Sequence, residues 1–329
     1  MPKERDSEGI EVTEQVEEVM TVSDAASDES VALEETPIRG SHLFWRVAVF
    51  AGLSVVLAIV FRHCLGDLWQ LSRADATYSH MPLIPLVSAC LLFSARERIA
   101  SAARSAFLPG LAIIGIGVLL FFAGVPLCGA AFPLDHLSLS TLAALIIWLG
   151  GFVALFGVRS FRAASFPLLF LLFLVPIPSF LLREIVHALQ RASTEIAHGL
   201  FLLIGVPFVR SDFVFELPGL SVMVAEECSG IRSSISLFIT GIIVAHLGLH
   251  TAWRRGLLIL SVLPITVFKN ALRVITLSLL GVYVDPRIMH SQLHRAGGIP
   301  FFGLALVIFG CVFWLLHRSE VNSLREGQA

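Results

Sequence analysis

A cysteine in the run AEECSGIRSS is the first place in this 329-residue chain where side-chain types suggest covalent chemistry. An apolar run begins at 232, so Cys228 falls at the mouth of a helix, where unpaired N–H groups and a partial positive charge favour thiolate over thiol. The N–H groups of Ser229 and Gly230 are placed to bind an oxyanion formed beside the sulfur. Arg232 adds positive charge there, while Glu226 and Glu227 oppose it. A second run, FKNALRVITL, puts Lys269, Asn270 and Arg273 inside an apolar stretch, and an ionisable residue in a membrane helix is a functional candidate. The bland alternative is that Arg273 snorkels, or neutralises Glu195 or Glu226. A third run, MHSQLHRAGGIPFF, holds His290 and His294. Cysteine as nucleophile, histidine as acid and base, and arginine as oxyanion or carboxylate clamp form a complete set for cleaving a peptide bond through a thioester. The other cysteines read differently. Cys90 and Cys311 lie mid-helix and read as small core residues; Cys64 and Cys128 both fall near the outer face, and their spacing leaves pairing open.

These runs need elements to bring them together, and the composition says which kind. Hydrophobic residues make up 56% of the chain and charged ones 15%, with a mean hydropathy of +0.83, which describes an integral membrane protein. The net charge of −2 conceals a split: residues 1–42 hold three basic and twelve acidic side chains, a net −9, which leaves +7 for the rest. That tail has no aromatic residue and no apolar period, so it reads as disordered. It also lacks the basic start and apolar stretch of a signal peptide. Basic residues are dispersed between apolar runs, which disfavours a nucleic-acid binder. Five cysteines without a C-x-x-C pair make neither a zinc ribbon nor a disulfide framework.

Eight apolar runs approach the ~20 residues a membrane-crossing helix needs: 43–61, 81–95, 106–125, 137–158, 163–182, 232–250, 256–281 and 299–317. Arg96, Arg98, Arg104, Arg159, Arg162, Arg254 and Arg255 mark three loops as cytoplasmic, which puts both termini inside and the loops at 126–136 and 282–298 outside. The expected fold is an all-α polytopic bundle of about eight transmembrane helices, with a membrane domain at 43–318 between the tail at 1–42 and a short cytoplasmic C-terminal tail at 319–329. Residues 183–206 are long enough to span, but a crossing there would invert the Arg254–Arg255 loop. Glu184, His187, Arg191, Glu195 and His198 also form one polar stripe, opposite Ile185, Leu189, Ala192 and Ile196. That pattern reads as an amphipathic helix at the outer face, or folded back toward a wet cavity, with a polar-lined spanning helix as the alternative. After it, Phe213, Phe215 and Leu217 alternate with polar or smaller residues around Pro218-Gly219, the pattern of a short β-hairpin outside the membrane.

At these residues the chain resembles the exosortase/archaeosortase family of multi-pass membrane transpeptidases, over roughly 45–317. The signatures are Cys-Ser-Gly-Ile-Arg-Ser at 228–233, then Asn270-Ala271-Leu272-Arg273, then His294 with Gly298 and Phe302 at four-residue steps. Weaker matches are Trp69 with Asp75, Tyr78, Ser79 and His80, and Pro176-Ile177-Pro178. Glu227 before the cysteine and Lys269 beside the asparagine depart from the pattern. The resemblance implies a cysteine endopeptidase or transpeptidase of the cytoplasmic membrane with its site on the outer face. Cys228 would be the nucleophile and Arg273 and His294 its partners, with no cofactor and no metal. The implied partners are exported proteins that end in a recognition motif such as Pro-Glu-Pro, a membrane helix and a basic tail; nothing names the target protein or the acceptor nucleophile. Three rivals stand beside this reading. A transporter would show inverted repeats, which the sequence lacks. A metal-dependent intramembrane protease using His290 and His294 lacks an H-E-x-x-H pair. The last is a polysaccharide-export membrane component without peptidase activity.

Overall fold

The computed structural model describes residues 36–124, 126, 132–224, 230–284 and 298–326. Seven helical segments among them are long and apolar enough to cross a membrane: Leu43–Val60, Ala76–Ser94, Phe107–Gly124, Pro133–Ala163, Ile231–Gly248, Ala252–Tyr283 and Ile299–Glu326. Together with one small antiparallel sheet they make a polytopic helical bundle. Seven of the eight expected runs therefore reappear as spans.

The fifth run departs from expectation. Instead of one helix over 163–182 there is a short helix, Ser165–Phe170, a 3-10 turn, Leu171–Leu174, and then a 26-residue helix, Ser179–Ile204, with a bend of 91° at the break. Pro176 and Pro178 are the cause, since neither can donate a helical hydrogen bond and each pushes its predecessor out of the α region. The new helix starts with its Ser179 N–H bonded to the Asp135 carboxylate at 2.5 Å. Counted with its short partner, the pair would be an eighth span.

In chain order the helices are α1 (Thr36–Val60), α2 (Arg62–Ala74), α3 (Leu83–Ser94), α4 (Arg96–Ser101), α5 (Phe107–Leu119), α6 (Pro133–Ala163), α7 (Ser165–Phe170), α8 (Ser179–Ile204), α9 (Ile231–Gly248), α10 (Ala252–Tyr283) and α11 (Gly298–Glu326). The chain divides into two compact units. The first comprises Met1–Arg62, Val87–Gly124 and Leu142–Leu172, and the second His63–Leu86, Val125–Thr141 and Phe173–Ala329. In the first, Phe152, Phe156, Ala164 and Leu168 form a core with Leu43, Phe50 and Leu92 packed against it. Gly157 interrupts α6 with φ +87°, and a side chain there would collide with the Arg104 carbonyl. The kink leaves the Phe156 carbonyl to accept from the Arg104 N–H at 3.0 Å.

The second unit is organised around α10, which packs on α8, α9 and α11. Leu258, Val262 and Ile265 of α10 join Leu237 and Ala245 of α9 and Ala305 and Phe309 of α11 in one core. Farther along α10, Ala271, Val274 and Ile275 meet Ala197 and Phe201 of α8 and the inner face of the sheet. The sheet has three strands in the order β1 (Val209–Ser211), β2 (Val214–Leu217), β3 (Leu220–Met223). The β2–β3 hairpin turns at Pro218-Gly219 as its alternation predicts, with Phe215 and Leu217 buried and Glu216 exposed between them. β1 extends it by a third strand, which was not expected because Val209-Arg210-Ser211 is too short to show a period.

Helix α8 keeps Glu184, Arg191 and Glu195 exposed, as the polar stripe requires. Its buried face differs from expectation. Ile196 is exposed, and the buried residues are Leu189, Gln190, Ser193, Thr194, Ala197 and Phe201. Half of that inner face is polar. At the opposite end of α10, the Glu320 carboxylate accepts from the N–H groups of His250 and Thr251 at 3.0 and 2.7 Å and from the Thr251 hydroxyl, and pairs with Arg254 at 3.5 Å. A carboxylate at a helix N-terminus satisfies orphan donors and opposes the positive end of the dipole. α11 therefore runs as helix to Glu326, past the start of the expected tail at 319.

Candidate active site

Helices α9 and α10 form a hairpin with only Leu249–Thr251 between them. Eighteen residues back along α9 from Gly248 is Gly230, and eighteen forward along α10 from Ala252 is Asn270. Equal helical rise, ~27 Å on each side, sets the two motifs level. They touch: a Cβ on Gly230 would run into the Asn270 carboxamide. Gly230 is the N-cap of α9 with φ +71°, a conformation glycine adopts freely and other residues at a cost. It brings no side-chain oxygen to cap the helix, so its residue type leaves the first-turn N–H groups of α9 without the usual capping acceptor. Its carbonyl is well used, accepting from the Ser234 N–H at 2.9 Å and from the Ser233 and Ser234 hydroxyls at 2.9 and 2.7 Å.

Lys269, the unusual charge, is 4% exposed and donates to the Ser233 hydroxyl. Asn270 is 1% exposed and Arg273, one turn farther, is half-buried. Lys269 and Asn270 of α10 thus lie at the level at which α9 begins, with Arg273 one turn beyond it. Arg232 is exposed at that end of α9. Glu195, weighed as a partner for Arg273, is instead engaged by Arg210 of β1 at 2.6 and 3.1 Å. That carboxylate holds the Arg210 guanidinium above its usual pKa.

The chain entering α9 comes from the sheet. Val224, directly after β3, is fully buried; its N–H donates to the Phe213 carbonyl at 2.9 Å and its own carbonyl accepts from the Gln190 side chain of α8. Val224 and Gly230 are thus the described residues on either side of 225–229: the first is hydrogen-bonded by the Gln190 amide and the second lies against the Asn270 carboxamide. The 3-10 turn Ala76–Tyr78 also packs on α9. Asp75 caps it through the Thr77 N–H at 2.8 Å, and Tyr78 is buried against Leu68 and Met81. His80 is held by the Thr77 carbonyl at 3.1 Å and by a backbone bond at Phe173. The Tyr-Ser-His stretch thus belongs to the same unit as the two motif helices.

Of the site residues expected from the sequence, Gly230, Arg232, Asn270 and Arg273 are described, and Gly230 and Asn270 are in contact at one level of the α9/α10 hairpin. Cys228, Ser229, Glu226, Glu227, His290 and His294 lie outside the described residues. Gly298 opens α11, and Phe302, one turn on, packs on the core of the second unit. Cys128 is also outside the described residues. Cys64 is a free thiol 3.3 Å from the Thr141 hydroxyl; burial pushes its pKa up against that hydrogen bond, so it is not an activated thiol. Cys90 and Cys311 are exposed on their helices rather than packed in a core. Sequence reasoning missed Gln190, whose only signal is a polar residue off the charged stripe, and the pairing of Lys269 with Ser233, two motif residues thirty-six apart.

The fold and this polar level define a multi-pass helical membrane protein with a built centre where two sequence motifs meet. The family model described as Transmembrane exosortase (Exosortase_EpsH) matches residues 69–311, well over half the chain, and the protein belongs to that family. It is a family of membrane cysteine-peptidase-like proteins associated with the processing of sorting signals. No curated protein and no solved structure matches the chain.

Proposed function

We propose that the protein is a cysteine transpeptidase that cuts the C-terminal sorting signal of exported proteins at the outer face of the cytoplasmic membrane. The observation that carries this reading is the contact between Gly230 and Asn270, which brings the Cys-Ser-Gly-Ile-Arg-Ser and Asn-Ala-Leu-Arg runs to one level. In this mechanism the Cys228 thiolate attacks the scissile carbonyl. The oxyanion takes hydrogen bonds from the N–H groups of Ser229 and Gly230, with Arg273 and Arg232 supplying positive charge and Asn270 holding the turn. His294 gives its proton to the leaving amine, and the thioester then passes to water or to an acceptor amine. The burial of Lys269, Asn270 and the inner face of α8 supports a polar site shielded by the bundle. The outer-face assignment is supported by the placement of Arg254 and Arg255 at the opposite end of α10 from Arg273.

The test is co-expression with an exported protein that ends in a recognition motif, a membrane helix and a basic tail, tagged on both sides of the motif. Cleavage by the wild type and none by Cys228→Ala, with equal amounts of inserted enzyme, is the expected result. Cys228→Ser should be nearly as inactive, since a serine hydroxyl ionises far less readily. Wild-type cleavage by Cys228→Ala would remove the cysteine mechanism.

A further inference from the structure

The segment that carries Cys228 has two described flanks, and different helices hold them. The Gly230 end packs closely against Asn270 of α10. The Val224 end is fixed from α8, by a residue no motif includes. We propose that Gln190 is a positioning residue of the active site: its side-chain amide holds the Val224 carbonyl and so sets the direction in which the chain leaves β3 and enters the Cys228 segment. The inference rests on the reading of Cys228 as the nucleophile.

Three observations carry it. Both backbone polar groups of Val224 are engaged, the N–H by the sheet through Phe213 and the C=O by Gln190, so turning either peptide plane would break a buried hydrogen bond. Gln190 itself is 5% exposed and sits between Leu189, Ser193 and Thr194 on the inner face of α8, with the Thr194 hydroxyl bonded to its backbone carbonyl at 2.8 Å. Its Oε1 is buried with no hydrogen-bond partner among the described residues. A desolvated amide oxygen is a costly way to fill space, because an apolar side chain of similar length would pack there without it. What the amide adds is a directed N–H at the last residue before the segment. Catalysis depends on such placement, since a displacement of about 1 Å at a reacting atom can cost roughly 100-fold in rate.

The experiment uses the full-length protein in membranes and the doubly tagged substrate, with two substitutions. Gln190→Met keeps the length and removes the donor; kcat should fall about tenfold or more while KM stays within about twofold, because placement of the nucleophile and not substrate binding is lost. Alkylation of Cys228 by iodoacetamide supplies a substrate-free readout and should change with it. Gln190→Glu is nearly isosteric, and a carboxyl group can donate to the Val224 carbonyl only while protonated. Burial at this position pushes a carboxyl pKa up, so the variant's rate relative to wild type should be highest near about pH 5 and fall toward about pH 8. With rates taken per folded, inserted enzyme at each pH, a structural role alone leaves the ratio flat, and this variant decides the matter if Gln190→Met does not accumulate. Wild-type kcat in Gln190→Met, a raised KM at unchanged kcat, or a pH-independent ratio for Gln190→Glu would overturn the proposal. Cys228→Ala separates the two ideas: activity retained there defeats the nucleophile reading and this one with it, whereas activity lost there but unchanged in the Gln190 variants defeats only the positioning role.

Discussion

Replacing Gly230 by alanine perturbs the contact on which the site depends, and the cost can be worked from two features. The residue has φ +71°, and the left-handed region costs a non-glycine residue about 1–2 kcal/mol. The new methyl group also meets the Asn270 carboxamide, which is 1% exposed and packed within α10, so it has no room to swing aside. Overpacking of that kind costs about 1–3 kcal/mol. The expected loss is about 2–5 kcal/mol, or roughly 3–7 °C in the Tm of the detergent-solubilised protein. The two contributions separate in a double-mutant cycle. In an Asn270→Ala background the amide is gone, so Gly230→Ala should cost only the backbone strain, about 1–2 kcal/mol. Substrate cleavage read in parallel should fall in Gly230→Ala, because Cys228 lies two residues before the displaced turn. An equal penalty for Gly230→Ala with and without Asn270 would refute the claim that these two residues lock the motifs together.

Other expectations follow from the same structure. Glu320→Ala strips the N-terminal end of α10 of its carboxylate and leaves Arg254 buried beside it, and should cost about 3–5 kcal/mol; a paired Arg254→Met, Glu320→Leu variant should recover most of that in the same unfolding assay, and a stable Glu320→Ala would show the ion pair to be idle. His294→Ala should lower turnover by on the order of 100-fold or more, the scale of general acid–base catalysis, while His290→Ala stays within a few-fold; the reverse ranking would displace the proposed acid by one helical turn. Thiol reagents that cannot cross the membrane should reach single cysteines placed in 207–231 and 282–298 and miss those in 96–105 and 253–255. Labelling of 253–255 from outside would put the site on the cytoplasmic side.

Apolar length is a property of consecutive residues, and the hydrocarbon core admits little besides helices, so most spans could be drawn from the sequence with ends within a few residues of those observed. The hairpin was legible for a similar reason: Phe215, Leu217 and the Pro218-Gly219 turn are a local pattern with a local cause. The short connection between α9 and α10 that the structure shows explains why Gly230 and Asn270 stand level, because both helices rise equally from it. The break at Pro176 and Pro178 was written in the chain but masked by the apolar residues around it. Other features depended on partners far away in sequence. Gln190 meets Val224 thirty-four residues on, Lys269 meets Ser233 thirty-six residues back, and Glu320 meets Thr251 sixty-nine residues back. Whether a polar side chain on a helix faces water or a buried carbonyl depends on what packs against that helix, and hydropathy carries no record of it. The sequence therefore determined which helices exist and which residues could react; only the tertiary structure decided which buried polar groups hold them in place.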